Sequence, residues 1–111
     1  MAVISKDSRK QLKELAQVAY ERELAHHLNE LAEKFEKWKN KEITSSELNE
    51  LIHNFYNGTS KRLYSIYHYL DSDGIVARAL AFGFLSDDEV PKELKSQIRS
   101  MINFYKEHDM D

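Results

Sequence analysis

The stretch at residues 75–85, IVARALAFGFL, most restricts how this chain can fold. Ten of its eleven residues are apolar or glycine, and the exception is Arg78. On a helix its large side chains would point in nearly every direction, and a helix that is hydrophobic all round is normally buried. Eleven residues rise only about 16 Å, too little to cross a bilayer. We therefore expect a buried central helix, about 75–85, with amphipathic helices packed around it.

The rest of the chain has the composition of an all-α protein. Three glycines and one proline among 111 residues are too few for the turns of an all-β fold. We expect one domain, residues 1–111, built as a compact bundle of about five helices. The lack of cysteine excludes a disulfide, a thiolate zinc site and a cysteine nucleophile. The N-terminal residues lack the apolar core of a signal peptide, so we expect a cytoplasmic protein without membrane attachment.

The first predicted helix is longer than one small domain requires. Ser5 or Asp7 can cap it, and no glycine or proline interrupts it before about Asn40. Such a helix would be about 50 Å long, whereas a compact domain of this size has a radius of gyration of about 13 Å. Its second half carries apolar residues at spacings of four and three, namely Leu24, Leu28, Leu31, Phe35 and Trp38. This pattern predicts a homodimer with that stripe as the candidate interface.

The next segment, residues 44–70, has the outline of a helix-turn-helix. Thr44 and Glu47 form a capping-box pattern, and Gly58 is placed to end the helix that they begin. A third helix would then start at Thr59 or Ser60 and run to the end of the segment. Two helices joined by a short turn are the outline of many DNA-binding units, although they are also common in any helical bundle.

The third predicted helix carries side chains of the types that contact phosphates and base edges. Arg62, Tyr64 and His68 lie outside its apolar stripe, and together with Arg78 they are candidate contacts for a partner or an anion. Charge disfavours nucleic acid, because residues 1–41 hold nine Lys/Arg against seven Asp/Glu and residues 42–111 hold seven against twelve. A surface that binds nucleic acid normally concentrates positive charge. A DNA-binding regulator is therefore the alternative function.

After the buried helix, the sequence predicts one last helix. Ser86 and Glu89 repeat the capping-box pattern, and Pro91 suits the first turn of a helix. Apolar residues at helical spacing begin at Leu94 and Ile98 and continue towards the acidic C-terminus. This segment completes the expected set of about five helices.

Two Glu-x-x-His pairs, Glu23 with His26 and Glu50 with His53, suggest a metal site at first sight. Bundles that hold two metal ions combine two such pairs with two further inward-facing glutamates. Glu50 and His53, however, lie opposite the apolar stripe of their helix, so they would face solvent. The adjacent His26 and His27 diverge by about 100° on a helix, which disfavours one shared ion. We therefore expect solvated polar faces, with no metal and no cofactor.

Tyrosines and histidines are concentrated between His53 and Tyr69. An acid–base pair can be drawn from His53, His68 and a tyrosine. The sequence shows no nucleophile with a base at a recognisable spacing and no glycine loop that would hold a phosphate. An aromatic packing seam explains these residues better, so an enzyme or metal-binding bundle ranks third among the functions.

Arg78 is the most informative single residue, because a buried, unpaired charge would be strongly destabilising. Its side chain can extend to water along small neighbours, pair with a carboxylate such as Asp71 or Glu107, or bind a partner or an anion. We favour the ion pair. The sequence as a whole predicts a small soluble helical module that acts through protein–protein contacts, as a homodimer, in binding or regulation.

Overall fold

The computed structural model describes residues 5–108, and these form an all-α bundle, as predicted. A single π-helical segment joins the second and third α-helices without a turn, and a short 3-10 helix precedes the fifth. The elements are α1 Lys6–Lys39, α2 Ser45–Asn54, the π segment Phe55–Ser60, α3 Lys61–Tyr69, α4 Ser72–Phe82, the 3-10 helix Asp87–Glu89, α5 Lys92–Gln97 and α6 Arg99–Glu107. No helix within residues 5–108 is both long enough and apolar enough to cross a membrane.

Helix α1 runs without interruption for 34 residues, as its lack of glycine and proline predicts. The Ser5 hydroxyl caps its N-terminus by accepting a hydrogen bond from the Ser8 backbone N–H at 3.1 Å. At 1.5 Å per residue the helix is about 51 Å long. It therefore accounts for most of the longest dimension of the molecule, which measures 56 × 26 × 25 Å.

The capping box predicted at the start of α2 is confirmed. The Thr44 side chain accepts from the Glu47 backbone N–H at 3.0 Å, and the Glu47 carboxylate accepts from the Thr44 backbone N–H at 3.0 Å. Across the connection, the Trp38 indole N–H donates to the Ser45 hydroxyl at 3.0 Å. Further from this connection, His27 of α1 and Asn54 of α2 line the same groove, so α2 folds back antiparallel to α1.

The prediction that Gly58 ends a helix is wrong. Gly58 lies inside the π segment, and among the described residues the glycine with positive φ is Gly83. The chain from α2 through α3 is thus one continuous helix, and the helix-turn-helix outline over residues 44–70 is absent. A π turn holds about one more residue than an α turn, so it rotates the following residues back by about 100°. In an unbroken α-helix Tyr67 would lie about 120° from Phe55, whereas the π turn brings both to the side that faces α1.

Helix α4 is the buried central helix, although its bounds differ from the predicted 75–85. It runs over Ser72–Phe82 and ends where Gly83 takes the left-handed conformation at φ 87°, which glycine adopts without strain. Val76, Ala77 and Ala79 are fully buried between α1 and α6, the two helices against which α4 packs. Small side chains at these positions permit this close approach on two sides.

The final predicted helix is two helices in the structure. Ser86 and Glu89 do form a capping box, but it starts a 3-10 turn rather than the helix itself. The chain leaves helical geometry again at Ile98, where φ is −111° and ψ is 15°, between α5 and α6. Ile98 is fully buried there. The break thus directs an apolar side chain into the core between two short amphipathic helices.

These contacts divide the molecule into two regions. The globular end, residues 5–23 and 61–108, contains the main core, in which α4 packs against α1 and α6. The hairpin arm, residues 24–54, consists of the second half of α1 and the antiparallel α2. The radius of gyration is 17.1 Å, against about 13 Å for a compact chain of this length, and the arm accounts for the difference.

Candidate functional site

The hairpin arm exposes large apolar side chains that a two-helix layer cannot cover. Leu28 is 45 % exposed, Phe35 36 % and Ile52 36 %. In α2 the buried residue is Leu48, so the described part of the arm has very little interior. The five residues predicted as an interface all lie on this arm: Leu24 and Leu31 are half-buried, and Leu28, Phe35 and Trp38 are exposed.

The two sides of the arm differ in chemistry. A shallow groove along one side is lined by residues that include His27, Glu30 and Lys34 of α1 together with Asn54 of α2. We call these four residues the polar flank. The same groove is also lined by Leu31, Leu51 and Phe55, which are apolar, and by Thr59.

The exposed apolar residues Leu28, Phe35 and Ile52 do not line this groove. Leu28 lies about 100° further round α1 than His27, and Ile52 lies about 100° further round α2 than Leu51. Because the helices are antiparallel, the same sense of rotation carries both side chains to the same side of the hairpin. Phe35 follows Leu28 after seven residues, or about two turns, and so shares this side. We call Leu24, Leu28, Phe35 and Ile52 the apolar flank.

His26 lies beside the polar flank and close to two of its residues, His27 and Glu30. The His27 Nδ1 lies 3.1 Å from Glu30 Oε1, and the His26 Nε2 lies 3.8 Å from the same oxygen. The two imidazole rings meet edge to face, with their centroids 5.1 Å apart. The backbone directions of His26 and His27 do differ, but Glu30, one turn further on, lies within reach of both rings. The two rings therefore share Glu30 as a neighbouring carboxylate.

Arg78 is buried and paired with a carboxylate, as favoured from the sequence, but the acid is Glu23 rather than Asp71 or Glu107. The guanidinium donates to both carboxylate oxygens, at 2.6 and 2.8 Å. Arg78 is 1 % exposed and Glu23 is 2 % exposed. The Tyr67 hydroxyl donates a further hydrogen bond to Glu23 Oε1 at 2.6 Å. These contacts tie α1, α3 and α4 together inside the globular end.

The electrostatics of this cluster favour its charged form. Burial opposes ionisation of Glu23, but the hydrogen bonds from Arg78 and Tyr67 lower the pKa of its carboxyl below the ordinary value. Burial and the adjacent Glu23 carboxylate raise the pKa of the Tyr67 hydroxyl. Burial works against the Arg78 cation, yet the hydrogen bonds to Glu23 raise the pKa of its guanidinium. The cluster is a closed, fully paired structural ion pair, and Arg78 does not lie on the surface with the other candidate contacts.

A second ion pair lies within the globular end, next to the start of the hairpin arm. Arg22 donates to both oxygens of Glu89, each at 2.7 Å, and also to the Phe84 carbonyl at 3.0 Å. The hydrogen bond from Arg22, helped by the backbone N–H of Ser86, lowers the pKa of Glu89 to about 2. This pair fastens the middle of α1 to the segment that follows α4.

The remaining candidate contacts are divided between two faces of α3. Tyr64 and His68 are exposed and stack on each other, with ring centroids 5.5 Å apart and planes within 9°. Arg62 is exposed but lies about 200° round the helix from Tyr64, so it does not join them. His53 is about 20 Å from His68 along the continuous helix, too far for the acid–base pair considered from the sequence.

The partner of Arg78 was missed, although the sequence carried a signal for it. Leu12, Ala16 and Ala19 form the buried stripe of α1, and Glu23 follows at the next helical spacing of four. A glutamate on an apolar stripe and an arginine in an apolar helix are natural partners, because each charge needs the other when buried.

Comparison of the chain with protein-family models, with curated proteins and with solved structures found no match.

Proposed function

We propose that this protein is a protein-binding module that forms a homodimer through the apolar flank of its hairpin arm. The observation that carries the proposal is the run of exposed apolar side chains on one side of a two-helix layer, represented by Leu28, Phe35 and Ile52. An isolated exposed leucine is ordinary in a soluble protein, but a contiguous apolar surface marks an interaction site.

The physical reason is the incomplete core of the arm. Two packed helices share one line of contact, and side chains on either side of that line stay partly in water. Fully burying a Leu, Ile or Phe side chain is worth about 1.5–3 kcal/mol. Completing the burial of three half-exposed side chains on each of two chains therefore adds several kcal/mol to association. A third and fourth helix laid on the apolar flank would convert the arm into one end of a four-helix bundle.

A second copy of this chain suits the apolar flank. A twofold interface places the same surface on both partners. The charges on that surface must therefore not repel the same charges on the second copy. Between Glu30 and Lys39 the arm carries three glutamates and three lysines, interspersed along α1. The charges beside the flank therefore balance, and a second copy meets no like-charge surface there.

Sedimentation equilibrium tests the proposal directly. The wild-type protein is expected to have about twice the 13.1 kDa chain mass at micromolar concentration and to dissociate on dilution. Phe35→Lys places a charge on the apolar flank and should shift the protein to a monomer. Phe104→Lys is the matched control, because Phe104 is an equally large, 54 % exposed side chain on α6, away from the arm.

Two results would contradict the homodimer. One is a wild-type protein that stays monomeric when concentrated. The other is a dimer that Phe35→Lys leaves intact while Phe104→Lys disrupts it, which would place the interface on α6. Circular dichroism spectra that match the wild type would show that each variant is folded, since both positions are exposed and neither change disturbs the core.

A further inference from the structure

Three side chains on and beside the polar flank have the chemistry of a metal site. His26, His27 and Glu30 each offer one ligand atom, and these three atoms lie within 4.8 Å of one another. The shortest separation, 3.1 Å, joins His27 Nδ1 to Glu30 Oε1, and the same oxygen lies 3.8 Å from His26 Nε2. Two imidazoles and one carboxylate are thus already gathered around a common point on one helix.

The three ligand atoms need to move only a short distance to coordinate one ion. Zinc binds imidazole nitrogen and carboxylate oxygen at about 2.0–2.2 Å, so ligand atoms around a tetrahedral ion are about 3.3 Å apart. The largest separation in the cluster must therefore shrink by at most about 1.5 Å. The side chains of His26 and Glu30 are 60 % and 63 % exposed, so they can rotate to make this change. His27, at 29 % exposed, is the least mobile of the three and serves as the anchor.

The surroundings restrict the His27 ring more than the exposed His26 ring. The His26 ring meets the Phe84 ring edge to face, with the centroids 6.1 Å apart. His27 and Glu30 line the groove between α1 and α2, beside Asn54. A ring held by packing loses less conformational freedom when it binds an ion. One ammonium group, from Lys34, also borders the groove, and it limits the affinity for a cation without blocking the three ligand atoms.

The donor set selects the class of metal. Imidazole suits zinc, copper and nickel, whereas magnesium and calcium take oxygen ligands. We propose that His26, His27 and Glu30 form a binding site for one divalent transition-metal ion of the zinc, copper or nickel class. All three ligands come from one chain, so the site is independent of the proposed dimer. Three protein ligands leave a coordination position for water or for a ligand from a bound partner.

Isothermal titration with zinc chloride, at neutral pH and in a non-chelating buffer, tests the site. The wild-type protein is expected to take up one zinc ion per chain. Loss of a group that merely orients a metal ligand weakens metal binding by about 10–100-fold, so loss of the anchor ligand in His27→Ala should weaken zinc binding at least tenfold. Glu30→Gln, which keeps the size of the side chain and removes its charge, should also weaken zinc binding.

The matched control is His53→Ala, since His53 is an exposed histidine on α2 outside the cluster. It should bind zinc as tightly as the wild type. Equal weakening by His53→Ala and His27→Ala, or the absence of saturable one-to-one binding by the wild type, would overturn the proposal. Phe35→Lys should keep full zinc affinity even if it removes the dimer, so failure of the dimer proposal and failure of the metal proposal are distinguishable.

Discussion

The globular end and the hairpin arm share the same first helix, yet they differ in how that helix is covered. In the globular end α1 packs against α3 on one side and α4 on another, so Leu12, Ala16 and Ala19 are buried. In the arm the same helix has α2 as its main neighbour, and Leu28 and Phe35 stay exposed. The comparison shows that an amphipathic stripe specifies a face to be covered but not the element that covers it.

The largest expected effect concerns the ion pair that distinguishes the globular end. Arg78→Met leaves the Glu23 carboxylate buried without its cation, with Tyr67 as a hydrogen-bond donor. Breaking a buried pair from one side costs about 3–5 kcal/mol, so urea denaturation should show a loss of that size. Arg62→Met, a change of the same kind at an exposed position, should alter the free energy of unfolding by less than about 0.5 kcal/mol. Similar losses for both variants would show that the pair contributes no special stability.

The second prediction compares one leucine from each region. Leu85 is 2 % exposed in the core, so Leu85→Ala should lower the free energy of unfolding by about 2–5 kcal/mol. Leu28→Ala should cost less than about 1 kcal/mol when measured by chemical denaturation at concentrations where the chain is monomeric. If the proposed dimer forms, the cost of Leu28→Ala should rise at higher concentration, because dimerisation would stabilise the wild type more than the variant. A large, concentration-independent cost at Leu28 would mean that the arm has an interior of its own.

The smallest expected effect concerns the start of α2, where the arm turns back. Thr44→Ala removes the acceptor for the Glu47 backbone N–H and should cost about 0.5–2 kcal/mol in thermal or urea unfolding. His53→Ala, on the exposed side of the same helix, should cost less than about 0.5 kcal/mol. If the histidine change were the more damaging, the faces of α2 would be assigned wrongly.

Local sequence rules recovered the helices with good accuracy where neighbouring residues decide the structure. The uninterrupted α1, the capping box at Thr44 and the buried character of α4 all follow from residues close together in the chain. The same rules failed at Gly58, where a glycine that normally ends a helix lies instead in a π segment. The need for Phe55 and Tyr67 to face α1 together outweighs the local preference, and that need depends on a helix distant in sequence.

Of the candidate sites, the sequence identified the apolar stripe on α1 and the importance of Arg78. It did not identify Glu23 as the partner, because Glu23 and Arg78 are 55 positions apart and the sequence leaves their separation in space undetermined. It also did not predict that Glu30 would lie between His26 and His27, since that depends on side-chain rotation rather than on helical spacing.

The sequence by itself determined the all-α class, the length of α1 and the burial of α4, because helix propensity, capping and apolar periodicity act over a few residues. Tertiary structure alone decided which half of α1 is covered on two sides and which acid neutralises Arg78. It also decided where α2 and α3 change register and where the last helix breaks at Ile98. These features depend on packing between helices far apart in the chain, and the free energy of that packing exceeds the local preferences that it overrides.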